Sequence, residues 1–179
     1  MGAGKWILAV GAGVGAYFLF RGEGAAAATS QRAQYKPGAP ETVELFRNAA
    51  LWSGMPVQWA DHPGLHYILR RETHGWVGRP NCTYNSVHGA DFCREHFRHR
   101  WPLVWDELRA GVITARSSAC GLGQLLLRNQ RRFMPSGPDG LGNALEEAIG
   151  MLRYIQNRYG DPQTAYEFYI NPNKPHEGY

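Results

Sequence analysis

The chain has few cysteines and few charges, and each shortage excludes a class of protein. Three cysteines in 179 residues, Cys82, Cys93 and Cys120, are too few for a disulfide scaffold. A charged fraction of 19% beside a hydrophobic fraction of 44% excludes a disordered chain and indicates a globular one. The net charge of +4 is mild, so it suits an anionic partner such as a cell wall, an acidic membrane surface or nucleic acid, and selects none of them.

The first segment is the one long stretch without charge. "KWILAVGAGVGAYFLF" has no charged residue between Lys5 and Arg21. At the helical rise per residue this run spans roughly 22 Å, short of the hydrocarbon core, although the flanking glycines can extend it. A signal peptide with a cleavage site at residues 25–28 and an uncleaved anchor are both open, and we favour an anchor over residues 1–24 with a membrane helix over residues 5–21.

The membrane segment also carries a spacing of glycines that is typical of packed membrane helices. Gly11 and Gly15 form a Gly-x-x-x-Gly pair, which can seat a second helix closely, although glycines are common in membrane helices in any case. A nucleotide-binding loop is excluded there, because no strand precedes the glycines and no Lys-Ser/Thr follows them. The segment therefore predicts a membrane partner and a candidate helix–helix contact.

Beyond the anchor, the pattern predicts a linker and then a mainly helical domain. Residues 25–40 lack apolar periodicity and form the predicted flexible linker, and residues 41–179 form the domain. Helices are predicted over "ETVELFRNAALW", over the stretch that ends at Glu72, and over "NALEEAIGMLRYIQNRYG", with a last helix opened by Asp161 as N-cap and Pro162. Residues 73–100 predict a small β or irregular lobe, and "SSACGLGQLL" is ambiguous between a turn and a helix start.

Glu72 stands out because it falls on an apolar helix face. It follows Ile68 by four residues and Leu69 by three, which places its carboxyl on the side that should be buried. One interpretation is a carboxylate paired with a cation such as Arg70 or Arg71. The other is a general acid: burial and the negative end of the helix both favour the protonated form, and glycosidic bonds need a proton on the leaving oxygen.

Three motifs in order resemble the lytic transglycosylase and goose-type lysozyme family. "RRETHGW" resembles the Glu-Ser-Gly sequence that ends the family's catalytic helix, with Thr73 in place of Ser. "ACGLGQLL" resembles the family's Gly-Leu-x-Gln motif. "EEAIGMLRYIQNRYGDPQTAYEFY" resembles its long C-terminal helix and the segment after it, and "HEGY" resembles the tail of phage-encoded members.

The resemblance implies a lysozyme-like α+β fold, mainly α, and a peptidoglycan substrate. Glu72 would protonate the bond between N-acetylmuramic acid and N-acetylglucosamine and then take the proton of the C6 hydroxyl, closing a 1,6-anhydro ring without water. The implied substrate-binding residues are Ser118, Gly121, Gln124, Tyr154 and Tyr169. For Ser118 and Gln124 turn formation is an equal alternative, and for the two tyrosines periodicity favours the core.

The chain also departs from the family, so other functions stay open. The family's Asn-Ala-Gly segment is replaced by "YINPNKPHEGY". A hydrolytic lysozyme would use a water and a second acid, for which Asp91 and Glu95 are candidates. A catalytically silent wall-binding protein of a membrane-bound assembly is a further alternative. We expect the domain to face the wall, from a virion membrane or ejection apparatus or from a bacterial inner membrane facing the periplasm, without nucleic acid.

A cysteine and histidine cluster gives a competing hypothesis in the irregular lobe. Cys93 and His96 have a spacing that zinc sites use, but the gap from Cys82 to Cys93 is not a standard one. A disulfide between Cys82 and Cys93 is an alternative in an oxidising compartment. We favour free thiols and predict no metal and no cofactor.

Overall fold

The computed structural model describes residues 33–81, 117 and 119–173. This part is mainly helical, which confirms the coarse fold class, and it contains isolated β-bridges and no named strand. Several predictions lie outside the described residues, namely the membrane helix over residues 5–21, the Gly11 and Gly15 pair, the linker up to residue 32, the thiols of Cys82 and Cys93, and Ser118. Among the described residues, no helix is long and apolar enough to cross a membrane.

Two α-helices lead to Glu72. Helix α1 covers Pro40–Ser53 and ends at Gly54, whose φ of 67° is left-handed and suits a glycine C-cap. A short 3-10 helix, Val57–Asp61, connects it to α2, Pro63–Glu72. The N-cap of α2 is His62, whose side chain accepts a hydrogen bond from the Gly64 N–H. Both helices therefore lie where the apolar periodicity predicts them.

Three further α-helices and a second 3-10 helix complete the described fold. Helix α3, Leu127–Phe133, and a 3-10 helix, Gly137–Gly140, were not predicted from the sequence. Helix α4, Ala144–Tyr159, confirms the clearest apolar pattern in the chain, with Asn143 as its N-cap. Helix α5, Pro162–Ile170, begins as predicted, since the Asp161 side chain accepts from the Thr164 N–H at 2.7 Å.

The helices pack in pairs that join the first two helices to the last two. Helix α1 packs on α4, α2 packs on α5, and α4 also contacts α3 and α5. The main core consists of fully buried aliphatic and aromatic side chains, among them Phe46, Leu65, Ile68, Leu69, Leu122, Ile149, Met151, Leu152 and Ile155. A smaller core of Leu125, Phe133, Met134 and Tyr154 lies between α3 and α4. Burial on this scale stabilises the fold by roughly 25 cal/mol per Å² of apolar surface.

Residues 33–38 form a strap across the turn after α2. The Tyr35 N–H donates to the Gly75 carbonyl at 2.8 Å and the Val77 N–H to the Ala33 carbonyl at 3.1 Å. At Gly75, where φ is 81°, an added Cβ would lie 1.8 Å from the Tyr35 carbonyl oxygen, so only glycine fits. The end of the predicted linker is therefore hydrogen-bonded to the domain, because its backbone groups find partners on this turn.

Candidate active site

Glu72 is the last residue of α2, and Thr73 is the C-cap of this helix. The Thr73 N–H donates to the Leu69 carbonyl at 3.1 Å, and the Thr73 hydroxyl accepts from the Gly75 N–H at 3.1 Å. The first contact satisfies a carbonyl that the helix end would otherwise leave unpaired, and the second satisfies the N–H of Gly75 in the turn that follows. Helix α2 thus ends at Glu72 with Thr73 as its C-cap, and Gly75 allows the close approach of the strap.

The Glu72 carboxyl accepts a hydrogen bond from a hydroxyl of helix α5. The Tyr169 hydroxyl of α5 donates to Glu72 Oε1 at 3.0 Å. The Tyr169 ring packs edge-on against Tyr67, with centroids 6.0 Å apart, and Tyr67 packs in the same way on Tyr166 at 5.1 Å. Because aromatic pairs of this geometry hold one another in place, the hydroxyl has a defined position against the carboxyl.

Burial controls the acidity of Glu72. Desolvation raises the pKa of Glu72 to about 7, while the hydrogen bond from Tyr169 and the charge of Arg71 act in the opposite direction. Desolvation and the nearby Glu72 charge also raise the pKa of Tyr169, so the phenol keeps its proton and remains a donor. A carboxyl with this pKa is partly protonated at neutral pH, which a general acid requires.

The "GLGQ" residues form a tight turn. Of the two alternatives for this stretch, a turn and a helix start, the turn is therefore correct. The Cys120 N–H donates to the Leu125 carbonyl at 3.1 Å, and the Leu125 N–H donates back to the Cys120 carbonyl at 2.9 Å. Gly121 has a φ of 73° and Gln124 a φ of 46°. A left-handed backbone is strained for a residue with a side chain such as Gln124, so hydrogen bonds must hold it there.

The Gln124 side chain supplies some of those hydrogen bonds. Its Nε2 donates to the carbonyl of Arg79 at 2.7 Å and to the carbonyl of Gly121 at 3.1 Å. The residue is buried, with 9% of its surface exposed. These contacts favour the turn-forming interpretation of Gln124 over direct contact with a sugar.

Hydrogen bonds connect the Gly121–Gln124 turn to Thr73, next to Glu72, and to the segment at residues 78–81. The Thr73 hydroxyl donates to the Leu122 carbonyl at 3.3 Å, and Arg79 Nη1 donates to the Thr73 carbonyl at 3.0 Å. Backbone hydrogen bonds join Gly121 to Arg79 and Asn81 to Ala119. The structure therefore places the "RRETHGW" and "ACGLGQLL" stretches side by side.

The remaining predicted site residues lie in different environments. Tyr154 is 6% exposed and packs edge-on against Phe133 and Tyr159, which favours its core interpretation over a sugar contact. Tyr169 contacts Glu72 itself, a role that the sequence did not indicate. Asp91 and Glu95, the candidates for a second acid, lie outside the described residues.

A second buried carboxyl, Glu147, was missed by the sequence analysis. It is 2% exposed and lies in the first turns of α4. Its Oε1 accepts from the N–H groups of Gly78 and Gly142, and its Oε2 accepts from those of Gly78 and Leu122, all between 2.8 and 3.0 Å. The signal was present, because Met151 follows Glu147 by four residues on the buried face of the helix.

In the described ranges, no cluster of side chains forms a candidate metal site or a candidate thiol site. Groups of three or more His, Cys, Asp or Glu side chains placed to hold a metal ion are not found there. Cys120 is buried, and its thiol donates to the Gly78 carbonyl at 3.1 Å. Cys82, Cys93 and the histidines of the irregular lobe lie outside the described residues, and the zinc and disulfide hypotheses stay predictions.

Comparison with protein-family models, with curated proteins and with solved structures gives no significant match. The arrangement of Glu72, Tyr169 and the Gly121–Gln124 turn therefore carries the functional argument, together with the motifs of the sequence.

Proposed function

We propose that this protein is a membrane-anchored lytic transglycosylase that cleaves the N-acetylmuramic acid to N-acetylglucosamine bond of peptidoglycan and leaves a 1,6-anhydro end. The observation that carries the proposal is the partly buried carboxyl of Glu72, with its pKa raised to about 7 and with Tyr169 as donor to one oxygen. The order of the three motifs supports the substrate class. The uncharged run between Lys5 and Arg21 supports the anchor.

The chemistry needs one carboxyl in two protonation states. Protonated Glu72 donates to the leaving glycosidic oxygen while an oxocarbenium-like state forms at the muramoyl sugar. The resulting carboxylate, held by the Tyr169 hydroxyl, accepts the proton of the C6 hydroxyl, and that oxygen bonds to the anomeric carbon. The proton returns to Glu72, so the cycle requires neither water nor a second acid.

The Tyr169 hydroxyl suits both halves of this cycle. A hydrogen bond to a carboxylate is stronger than one to a neutral carboxyl, so Tyr169 stabilises the form that Glu72 adopts after the first proton transfer. Desolvation favours the protonated form that is needed before it. Together, these two effects keep the pKa near the value at which a single group serves as acid and then as base.

Replacing Glu72 by Gln tests the proposal. Gln keeps the size of the side chain but cannot deliver a proton as an acid does, so turnover of purified peptidoglycan should fall by roughly 10²–10⁴-fold. Glu41→Gln, an exposed change in the first turn of α1, is the matched control and should keep full activity. Full activity in Glu72→Gln would refute the proposed role. Recovery of the intact chain wholly in the aqueous phase of a detergent separation would refute the anchor.

A further inference from the structure

Glu147 joins three separate segments of the chain. Its carboxyl accepts the N–H of Gly78 after α2, of Leu122 in the Gly121–Gln124 turn and of Gly142 before α4. The Gly121 Cα carries no side chain against it, since a Cβ there would lie 2.8 Å from Glu147 Cδ. Glycine at this position therefore allows the turn to close directly onto the carboxyl.

The same network extends to the residue next to Glu72. The Leu122 carbonyl accepts the Thr73 hydroxyl at 3.3 Å, and the Thr73 carbonyl accepts Arg79 Nη1 at 3.0 Å. Gly78, whose N–H bonds Glu147, directly precedes Arg79. A displacement of Glu147 would therefore move the end of α2, where Glu72 lies. The displacement would act through Leu122 and Thr73 and through the Gly78–Arg79 segment.

The charge state of Glu147 decides how well it can perform this role. All of its hydrogen-bond partners named above are N–H donors, so a carboxylate matches them on both oxygens, whereas a protonated oxygen would bring an O–H against an N–H. The charged and titratable side chains around it point elsewhere: Arg79 to the Thr73 carbonyl, Glu146 to Ser136, and the Cys120 thiol to the Gly78 carbonyl.

We propose that Glu147 is a positioning residue for the proposed reaction: its ionised carboxyl holds the Gly121–Gln124 turn and the segment after Glu72 in the geometry that cleavage requires. This inference rests on the proposed function. It assigns the two carboxyls opposite requirements, because Glu72 must carry a proton while Glu147 must not.

The proposal predicts a bell-shaped pH dependence of kcat. Activity falls at high pH as Glu72 loses its proton, and it falls at low pH as Glu147 gains one. Burial raises the pKa of Glu147 to about 7, against the opposing effect of its three backbone donors, so the acid limb lies close to neutral pH. An exposed Glu, with its ordinary pKa, would place the acid limb of the profile at a far lower pH.

Glu147→Gln imitates the protonated state and is the main test. One of its two oxygens becomes an N–H₂ group that faces N–H donors, so kcat should fall roughly 10²-fold, as for a small misplacement of catalytic groups. The acid limb should disappear, because no group at this position can then gain a proton. Glu147→Asp, which keeps the carboxylate, should retain the acid limb. Glu146→Gln, on the same helix and bonded to Ser136, is the matched control and should keep the wild-type profile.

A wild-type measurement covers the case in which Glu147→Gln does not fold. The amide signals of Gly78, Leu122 and Gly142 are followed by NMR as a function of pH in the intact protein. We expect the three to titrate together, with the apparent pKa of the acid limb. The proposal would be overturned if the amide signals did not change over the pH range of the acid limb. It would also be overturned by a folded Glu147→Gln protein with the wild-type kcat and pH profile.

The outcomes for the two proposals are distinguishable. A wild-type protein that cleaves no glycan contradicts the proposed function and, with it, the catalytic role of Glu147. A wild-type protein that cleaves glycan while Glu147→Gln matches it contradicts the role of Glu147 alone, and Glu72 remains the proposed acid.

Discussion

At the scale of single residues, the site depends on a carboxyl that burial makes a weaker acid. The sequence indicated the burial of Glu72, since its spacing from Ile68 and Leu69 sets its face on the helix. It did not indicate Tyr169 as the partner, because the two lie 97 positions apart and only tertiary packing joins them. Glu147 was equally visible from its spacing, but the stretch that contains it indicated only a long helix and no role for this carboxyl.

Tyr169→Phe tests the contact between helices α2 and α5 at Glu72. Removing the hydroxyl should lower kcat roughly tenfold, because a hydrogen bond to a charged group contributes about 1.5 kcal/mol or more. Since this hydrogen bond lowers the pKa of Glu72, its loss should also move the alkaline limb of the pH profile to higher pH. Tyr166→Phe, in a neighbouring ring of the same aromatic contact, should change neither quantity. An alkaline limb that moves to lower pH in Tyr169→Phe would contradict this account.

At the scale of elements, helices with caps and clear apolar periodicity were predicted, and elements set by tertiary contact were not. Helices α1, α2, α4 and α5 lie where the pattern predicts them, and Asp161 caps α5 as expected. Helix α3 was missed because "LRNQRRF" is mostly polar and has only Gln130 and Phe133 buried. The sequence predicts residues 33–38 as part of a linker. It does not indicate their hydrogen bonds, because the partners lie on a turn 40 residues away, as between Gln34 and His74.

Gly64→Ala tests whether the close approach of α2 and α5 fixes the position of Tyr169 relative to Glu72. An added Cβ would lie 2.7 Å from Tyr166 Cβ and 2.9 Å from the Pro162 carbonyl oxygen, so the helices must separate. We expect the free energy of unfolding in urea to fall by about 1–3 kcal/mol and kcat to fall as Tyr169 moves from Glu72. Asn157→Ala, exposed on α4, is the control. Unchanged stability and kcat in Gly64→Ala would show that this close approach is not needed.

At the scale of the whole molecule, a buried acid links function to stability. Glu72 binds its proton more tightly in the folded state than in the unfolded state, where its pKa is near the ordinary 4.5. Its contribution to stability is therefore present below pH 4.5 and is lost as the pH rises through about 7. His66, whose pKa burial lowers, acts in the opposite direction over part of this range.

Comparison of the wild type with Glu72→Gln isolates this contribution. Between pH 5 and pH 8 the variant should gain stability relative to the wild type, by up to about 3 kcal/mol, because Gln has no proton to lose. Urea denaturation at several pH values measures the difference. A relative stability that is constant or that favours the wild type with rising pH would show that Glu72 is not a buried, weakened acid in solution.

The identity of the products tests the central claim most directly. Purified peptidoglycan is digested with the wild-type protein and with Glu72→Gln, and the released fragments are analysed by mass spectrometry. We predict muramoyl ends lighter by one water than reducing ends from the wild type, and almost no fragments from the variant. Fragments with reducing ends alone would contradict the transglycosylase and indicate hydrolysis with a second acid. Equal fragment yields from both proteins would contradict the role of Glu72 itself.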